Sequence, residues 1–376
     1  PLDRATALST RLNNEVFIKR EDLQEVFSFK IRGAYNKMSS LNAKQRSEGV
    51  LCASAGNHAQ GLAQAAKLMG VRATIVMPVT TPEIKVASVR ARGAKVVLFG
   101  DTFNDALSHA LALEKQRNLH FIHPFDDPEI IAGQGTVAME IVHQHSAKID
   151  AVFVPVGGGG LIAGIAAYIK TVRPETQVIG VEYEESASLA AAMAAGRRVK
   201  LKQVGIFADG IAVAQVGKHT WPLMKQYVDG VITVSSDEIC AAVKDIFDDT
   251  RVIAEPAGAV SVAGMKKYVA DKQCRGQTLI TISTGANANF DRLRYVTERV
   301  PSLFSSPSLL SPSLFFFSFF FLSFLPPFSF SFFSPSPFLL FFFSFPSFLL
   351  PSSFSFPLSL FLLPFPPFLS LLPPFP

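Results

Sequence analysis

The first 300 residues alternate between short β-branched runs and segments with helical periodicity. Runs such as "GVLCA", "RATIVMP" and "DAVFVPV" predict strands, and each precedes a segment typical of a helix, such as "SAGNHAQGLAQAAKLMG". Strands joined through helices pair in parallel, because the crossover returns the chain to the same end of the sheet. The pattern therefore predicts an α/β protein built on parallel sheets.

Residues 301–376 contain only Pro, Ser, Leu and Phe, the amino acids whose codons can be written wholly in pyrimidines. All 35 basic and 30 acidic residues therefore lie before this tail. A membrane anchor is one interpretation, but Pro and Ser interrupt its apolar stretches and no charge flanks them. We interpret the low-complexity tail as the translation of a pyrimidine-rich repeat, expect no fold in it, and exclude it from the fold prediction.

Charge and cysteine content narrow the function classes. The formal net charge is +5, yet basic and acidic residues are interspersed, which is typical of a solvated surface rather than a nucleic-acid-binding stripe. Cys52, Cys240 and Cys274 stand apart without a C-x-x-C pair, so they indicate neither a disulfide framework nor a metal site. We expect a protein of a reducing compartment, with no metal, nucleic acid or membrane among its partners.

Three predicted strands end in loops of very small residues, at 52–57 ("CASAGN"), 154–161 ("VPVGGGGL") and 282–287 ("ISTGAN"). In open α/β sheets, ligands bind beyond the carboxyl ends of the strands. Glycine lets the backbone approach a ligand, and the start of the following helix presents N–H groups to an anion. The run Gly157–Gly160 is the strongest of these signals and predicts a phosphate site.

Several polar residues in these loops have two interpretations. Ser54 is placed to cap the helix that follows it, whereas the adjoining Gly56, Asn57 and His58 suggest contact with a ligand. His58 alone is expected to be a packed histidine rather than a general base. At the end of the last strand, two successive hydroxyls point to opposite faces, so one of them should face the cleft.

The small-residue loops alone leave the identity of the phosphate ligand open. Gly158, Gly160 and Ala163 fit G-x-G-x-x-A, and Glu182 follows the next strand, as in a nicotinamide-dependent oxidoreductase. That alternative gives no role to Lys30, which lies in the apolar run "VFSFKI" and, if buried, suits Schiff-base chemistry. A reactive amine, two anion loops and a strand-end hydroxyl together fit pyridoxal phosphate and an amino acid.

Six segments in order resemble the biosynthetic threonine dehydratase (threonine ammonia-lyase) family. They are "KREDLQEVFSFKIRGAYNKM", "ASAGNHAQG", "HPFDDPEIIAGQGT", "PVGGGGLIAG", "EPAGAV" and "STGANANFDRLRYVTER". The resemblance implies fold type II of the pyridoxal-phosphate-dependent enzymes, similar to the tryptophan synthase β subunit. It also implies a small α/β domain at 51–127 inserted into a large cofactor-binding domain at 1–50 and 128–300.

The resemblance implies a role for each matching residue. Lys30 is the implied catalytic residue, which bonds the cofactor aldehyde and moves the Cα proton. The implied cofactor site comprises Lys30, Asn57, Gly157, Gly158, Gly159, Gly160, Leu161 and Thr284. The implied substrate-carboxylate site comprises Ser54, Ala55, Gly56, Asn57 and His58. Asn57 would contact the ring hydroxyl, and Thr284, standing where the family usually has Ser, would contact the pyridine nitrogen.

The implied reaction is the α,β-elimination of L-threonine to 2-oxobutanoate and ammonia, a carbon–nitrogen lyase step in isoleucine and branched-chain amino-acid biosynthesis. L-Serine is expected as a poorer substrate. A catabolic serine/threonine dehydratase, a serine racemase and the product of a damaged gene stay as alternatives.

The resemblance also bears on regulation, assembly and location. The tail stands in place of the regulatory domain of biosynthetic members, so isoleucine feedback is expected to be absent. We expect a cytoplasmic homo-oligomer, or a plastid or mitochondrial one in a eukaryote, because the chain starts at Pro1 and a leader is not excluded.

Overall fold

The computed structural model of the protein describes residues 1–289 and 293–299. The low-complexity tail at 301–376 lies outside these described residues. Within the described ranges, no helix has both the length and the apolar character needed to cross a lipid bilayer.

Ten strands in the described part form two sheets. They are β1 (Leu2–Arg4), β2 (Glu15–Arg20), β3 (Val50–Ala53), β4 (Ala73–Met77), β5 (Lys95–Leu98), β6 (His120–Phe121), β7 (Ala151–Pro155), β8 (Gln177–Tyr183), β9 (Gly230–Val234) and β10 (Thr278–Ser283). The larger sheet has the order β1-β2-β10-β7-β8-β9, and the smaller one β5-β4-β3-β6. Every neighbouring pair is parallel except β1 with β2, so the predicted parallel α/β class is confirmed.

Thirteen α-helices in the described ranges connect or flank these strands. They are α1 (Thr6–Leu12), α2 (Lys30–Ser40), α3 (Ala43–Glu48), α4 (Asn57–Met69), α5 (Glu83–Arg90), α6 (Phe103–Arg117), α7 (Pro128–Gln144), α8 (Gly160–Val172), α9 (Ser188–Ala195), α10 (Thr220–Tyr227), α11 (Ser236–Thr250), α12 (Pro256–Lys272) and α13 (Leu293–Arg299). Since β7 and β10 are parallel neighbours, the loops that leave them start at the same edge of the larger sheet.

Several helix boundaries follow the capping signals of the sequence. Helix α4 ends at Gly70, which has a φ of 66°, and Ser235 and Glu238 form a capping box at the start of α11. The predicted cap at Ser54 is wrong, because the N-cap of α4 is Gly56. The Ser54 hydroxyl instead accepts a hydrogen bond from the Gly56 N–H at 3.3 Å, which forms a tight turn before the helix begins.

Helix α7 touches both α2 and α8 through glycines. A Cβ atom on Gly133 would lie 2.7 Å from the Arg32 carbonyl oxygen of α2. A Cβ atom on Gly164 of α8 would lie 2.3 Å from the Ile131 carbonyl oxygen of α7. Only glycine permits such close backbone contacts. Since α2 begins at Lys30 and α8 begins within the glycine run, α7 sets the spacing between these two helix starts.

The smaller sheet lies entirely between residues 50 and 121. This range falls almost wholly within the small domain expected from the sequence, while the strands of the larger sheet flank it on both sides along the chain. We therefore propose that residues 51–127 form the small domain and that 1–50 and 128–300 form the large one.

Candidate active site

One cavity joins the ends of β7 and β10 to the starts of α2 and α4. The predicted cofactor residues that line it are Lys30, Asn57, Gly157, Gly158, Gly159, Gly160, Leu161 and Thr284. Of the five residues predicted for the substrate carboxylate, Asn57 alone is in this lining. Residues that were not predicted also line the cavity, among them Pro124, Phe125, Gln134 and Glu255. Parts of all three small-residue loops therefore meet at one place.

Lys30 is the first residue of α2, which places its side chain at the start of a helix. Its Nζ donates a hydrogen bond to the Pro124 carbonyl at 3.2 Å and lies 5.2 Å from the centre of the Phe29 ring. Burial lowers the pKa of the Lys30 amine to about 8, although the Glu255 charge acts in the opposite direction. Near neutral pH an appreciable fraction of this amine is uncharged, so it can act as a nucleophile or a base.

The glycine run connects β7 to α8. Gly159 is the N-cap of α8 and has a φ of 94°, a left-handed conformation that favours glycine. A Cβ atom on Gly158 would lie 2.3 Å from the Phe125 ring, and one on Gly159 would lie 2.6 Å from the Met224 sulfur. Both conformation and packing therefore require glycine here. The first N–H groups of a helix lack intrahelical partners, so the start of α8 can bind an anion.

Asn57 and Glu255 form a buried polar pair at the cavity. Asn57 Nδ2 donates to the Glu255 carboxylate at 2.6 Å, and Asn57 Oδ1 accepts from Asn287 Nδ2 at 2.7 Å. Glu255 is only 5% exposed, and burial, assisted by the charge of Asp209, raises its pKa to about 7. Glu255 was not predicted as a site residue. The available signal was its place directly before Pro256 in "EPAGAV", where α12 begins.

Thr284 follows the carboxyl end of β10 and lines the cavity, with 4% of its surface exposed. Its hydroxyl donates a hydrogen bond to the Ala257 carbonyl at 3.2 Å. The preceding Ser283 is fully buried and does not line the cavity. Of the two successive hydroxyls, the one that faces the cavity therefore belongs to Thr284.

The side chain of His58 points into the protein interior, where its Nε2 lies 2.9 Å from the Ile122 carbonyl oxygen. Burial, with the nearby Lys30 charge, lowers the pKa of this imidazole to about 3, so the ring is neutral. His58 is a packed histidine, as the residues alone indicated. Beside it, Gly56 has no atom within 4 Å of the place where a Cβ would lie, so this face of the loop is open to a ligand.

Glu182 does not take the place that a dinucleotide site requires. Its buried carboxylate accepts hydrogen bonds from the backbone N–H groups of Leu189 at 2.7 Å and Ala190 at 2.8 Å, at the start of α9. Burial raises its pKa to about 7. Glu182 is absent from the cavity lining. The carboxylate that a dinucleotide site would use to bind a ribose instead caps the start of α9.

The cavity residues fit pyridoxal phosphate group by group. An amine of lowered pKa on Lys30 suits the aldehyde, and the glycine run at the start of α8 suits the phosphate. The Asn57 amide and the Thr284 hydroxyl offer polar partners for the ring hydroxyl and the ring nitrogen. These residues would hold the cofactor with its reactive carbon towards Lys30.

The fold and this cavity define a cofactor-dependent α/β enzyme with a lysine beside an anion loop. A family model described as "Pyridoxal-phosphate dependent enzyme" matches residues 1–285. The chain belongs to this family, and pyridoxal phosphate is its cofactor. The fold type inferred from the sequence is confirmed.

Named relatives share more than half of the aligned residues. The chain is 56% identical over 301 residues to the L-threonine dehydratase biosynthetic IlvA of Burkholderia multivorans, covering 79% of this chain and 59% of that protein. It is 53% identical over 298 residues to the chloroplastic biosynthetic threonine dehydratase of Arabidopsis thaliana, covering 79% and 50%. The chain thus spans about half the length of these curated relatives.

Among solved structures, the chain resembles the processed form of threonine deaminase isoform 2 from Solanum lycopersicum. The TM-score is 0.79 and the identity is 49%, over 80% of this chain and 88% of that one. The two chains therefore share one fold over the aligned residues.

Proposed function

We propose that this protein is a threonine ammonia-lyase, which converts L-threonine to 2-oxobutanoate and ammonia by α,β-elimination in isoleucine biosynthesis. The observation that carries the proposal is the Lys30 amine, which lies at the cavity shared with the glycine run and has a lowered pKa. The names of the relatives support the choice of threonine, since they are biosynthetic threonine dehydratases at 53–56% identity.

Lys30 has two proposed tasks. Pyridoxal phosphate, when bound, supplies an electron sink that makes the Cα proton of an amino acid removable. Lys30 would hold the cofactor through its aldehyde at rest, and as a free amine, once the amino acid has taken its place there, it would accept the Cα proton. With a pKa near 8 it is neutral often enough to take this proton and acidic enough to give it up again.

The other cavity residues orient the reactants. The glycine run and the start of α8 would bind the phosphate and so would hold the cofactor at the cavity that Lys30 lines. Thr284 would meet the ring nitrogen by turning its hydroxyl proton from the Ala257 carbonyl towards it, and an uncharged hydroxyl would not hold a proton on that nitrogen as a carboxylate would. The open face beside Gly56 suits the substrate carboxylate, with the loop at residues 54–58 around it.

Substrate range, assembly and location complete the proposal. L-Serine should be a poorer substrate, since it carries the same leaving hydroxyl without the methyl group. We further propose a homo-oligomer, located in the cytoplasm of a bacterium or in the plastid or mitochondrion of a eukaryote. Relatives of both organellar kinds are named chloroplastic and mitochondrial.

The experiment combines product analysis with active-site mapping. The protein reconstituted with pyridoxal phosphate should form 2-oxobutanoate and ammonia from L-threonine in equal amounts. Borohydride reduction followed by peptide mapping should locate the reduced cofactor on Lys30. A protein that racemises serine without releasing ammonia, or that carries the label on another lysine, would contradict the proposal.

Two lysines of the same helix provide the matched comparison. Lys30→Ala should lower turnover about a thousand-fold or more, since it removes both the covalent anchor and the base. Lys37→Ala, which removes an ion pair with Asp127 at 2.7 Å instead, should keep most of the activity. Circular dichroism should show both variants folded. Comparable activity in the two variants would contradict the proposed role of Lys30 as cofactor anchor and base.

A further inference from the structure

Asp126, in the segment between β6 and α7, accepts three backbone hydrogen bonds. The N–H groups of Lys218 and His219 donate to it at 2.7 Å each, and that of Thr220 donates at 3.4 Å. Burial acts against ionisation of this carboxyl, but the backbone hydrogen bonds and the nearby His123 outweigh it and lower the pKa. Asp126 is therefore an anion at neutral pH, and it fixes the turn that starts α10.

The turn held by Asp126 supports the glycine run. The Gly217 N–H donates to the Gly158 carbonyl at 3.0 Å, and the Thr220 hydroxyl donates to the same carbonyl at 2.8 Å. Two donors thus fix the orientation of the Gly158 carbonyl. Since a peptide unit is planar, the N–H of Gly159 is fixed with it.

The two residues before Asp126 contact the rest of the site. The Pro124 carbonyl accepts the hydrogen bond from Lys30 Nζ at 3.2 Å. The Phe125 ring lies against Gly158, only 2.3 Å from where a Cβ of that glycine would be. Three consecutive residues therefore contact the amine, the glycine run and the turn that supports this run.

We propose that Asp126 is a positioning residue for the cofactor phosphate, acting through Thr220 and the Gly158–Gly159 peptide, an inference that rests on the proposed assignment of the glycine run to the phosphate. Anion loops bind well when their N–H groups are held in place before the ligand arrives. The charge of Asp126 alone would repel a phosphate dianion. If Asp126 acts by positioning, neutralising its carboxylate should weaken pyridoxal phosphate binding. If it acts only through its charge, the same change should strengthen binding.

The test compares pyridoxal phosphate with pyridoxal, which lacks the phosphate, by absorbance titration of the apo form of the full chain. Asp126→Asn should weaken pyridoxal phosphate binding about ten-fold, because an NH₂ group replaces an oxygen that accepts a backbone N–H. Pyridoxal binding should change less than about two-fold, since no phosphate is involved.

Asp127→Asn is the matched control. Asp127 caps α7 by accepting from the Glu129 N–H at 2.8 Å, and Asn caps helices equally well. Its Kd for both ligands should stay within about two-fold of the parent.

Thr220→Val is a second variant that removes one donor to the Gly158 carbonyl and leaves Asp126 in place. Its Kd for pyridoxal phosphate should rise about three-fold or more, again with pyridoxal binding unchanged. If Asp126→Asn does not fold, this variant decides the question.

Three results would overturn the positioning role. They are unchanged or tighter pyridoxal phosphate binding by Asp126→Asn, equal weakening of both ligands, and an unchanged Kd in Thr220→Val. No measurement uses threonine, so a failure here is distinct from a failure of the proposed elimination reaction.

Discussion

At the scale of single residues, the cavity holds a lysine and a glutamate whose environment disfavours the charge of each. Burial lowers the pKa of Lys30 to about 8 and raises that of Glu255 to about 7. The Glu255 charge opposes the shift of Lys30, while the Asn57 hydrogen bond and the Lys85 charge oppose the shift of Glu255, and neither shift is cancelled. Near neutral pH both groups can therefore exchange protons, which surface residues of these types do not do.

The raised pKa of Glu255 leads to a stability prediction for the apo-protein. Ionisation of this buried carboxyl costs folding free energy, and the cost grows as the pH rises from the ordinary value near 4.5 to the folded value near 7. Glu255→Gln stays neutral and still accepts from Asn57. It should stabilise the protein by about 2 kcal/mol near pH 8.5 and by much less near pH 5.

Urea unfolding at the two pH values measures this difference. Glu15→Gln is the control, because that ion pair with Arg4 is 55% exposed on both sides and should give no comparable pH dependence. An equal effect of Glu255→Gln at both pH values would show that Glu255 is ionised at an ordinary pKa.

The sequence reveals some of these residues and hides others for a physical reason. Lys30 stands out because its neighbours in the chain are apolar. Glu255 and Asp126 act through contacts made by folding, with Asn57 198 residues away and with Lys218 92 residues away. The place of Glu255 before Pro256 is a local signal, but no local pattern shows which distant residues a carboxylate will contact.

At the scale of elements, the contact between α7 and α8 depends on Gly164. Its added Cβ would lie 2.3 Å from the Ile131 carbonyl, a backbone atom that cannot move without the helix. Gly164→Ala should therefore force the helices apart and lower the free energy of unfolding by about 2–3 kcal/mol.

Thermal or urea unfolding checks this expectation against Gly230→Ala. In that variant the added Cβ would meet the Ile179 side chain at 3.5 Å, which is an ordinary contact. The free energy of unfolding should therefore fall by about 0.5 kcal/mol or less. Equal effects of the two substitutions would mean that α7 and α8 can separate freely.

The elements themselves were predicted with uneven success. Strand and helix types follow from periodicity, but in the apolar segment "LHFIHPF" only His120–Phe121 forms a strand. The reason is a turn in which His123 Nδ1 accepts hydrogen bonds from the N–H groups of Phe125 and Asp126. These bonds replace a continued strand ladder, and Pro124 within the turn lacks an N–H to donate.

At the scale of the whole molecule, an ionic network joins β2 of the larger sheet to helices α2 and α7. Lys19 is fully buried, and its Nζ lies 2.5 Å from Glu140 and 3.8 Å from Glu21. Arg32 donates to Glu140 at 2.7 Å and to Glu21 at 2.7 Å. Each charge therefore has an opposite charge beside it, which offsets the cost of removal from water.

Breaking this network should destabilise the protein strongly. Glu140→Gln leaves the buried Lys19 short of an anion, and we expect a loss of about 2 kcal/mol, at the low end for buried pairs because Glu140 is 35% exposed. Glu15→Gln again serves as the control, with an expected loss below about 1 kcal/mol. Equal losses in the two variants would contradict a structural role for the network.

The pH dependence of Glu140→Gln has a definite sign. Hydrogen bonds from Arg32 and Lys19 lower the pKa of Glu140 to about 2, against the opposing effect of burial. Its contribution to stability is complete above the ordinary value near 4.5 and is lost as the pH falls towards 2. The difference in free energy of unfolding between the parent and Glu140→Gln, measured with urea, should therefore shrink as the pH falls through that range.

The glycine contacts of α7 distinguish the residues that line the cavity from those that set the dimensions of the cavity. Lys30 and the glycine run each begin a helix that abuts α7, so Gly133 and Gly164 control the reach between them without facing the cavity. A mutant library confined to cavity-lining positions would change the side chains in the cavity but not the distance between the starts of α2 and α8. Adapting this scaffold to a longer or shorter cofactor requires substitutions at the buried contacts that α7 makes with α2 and α8.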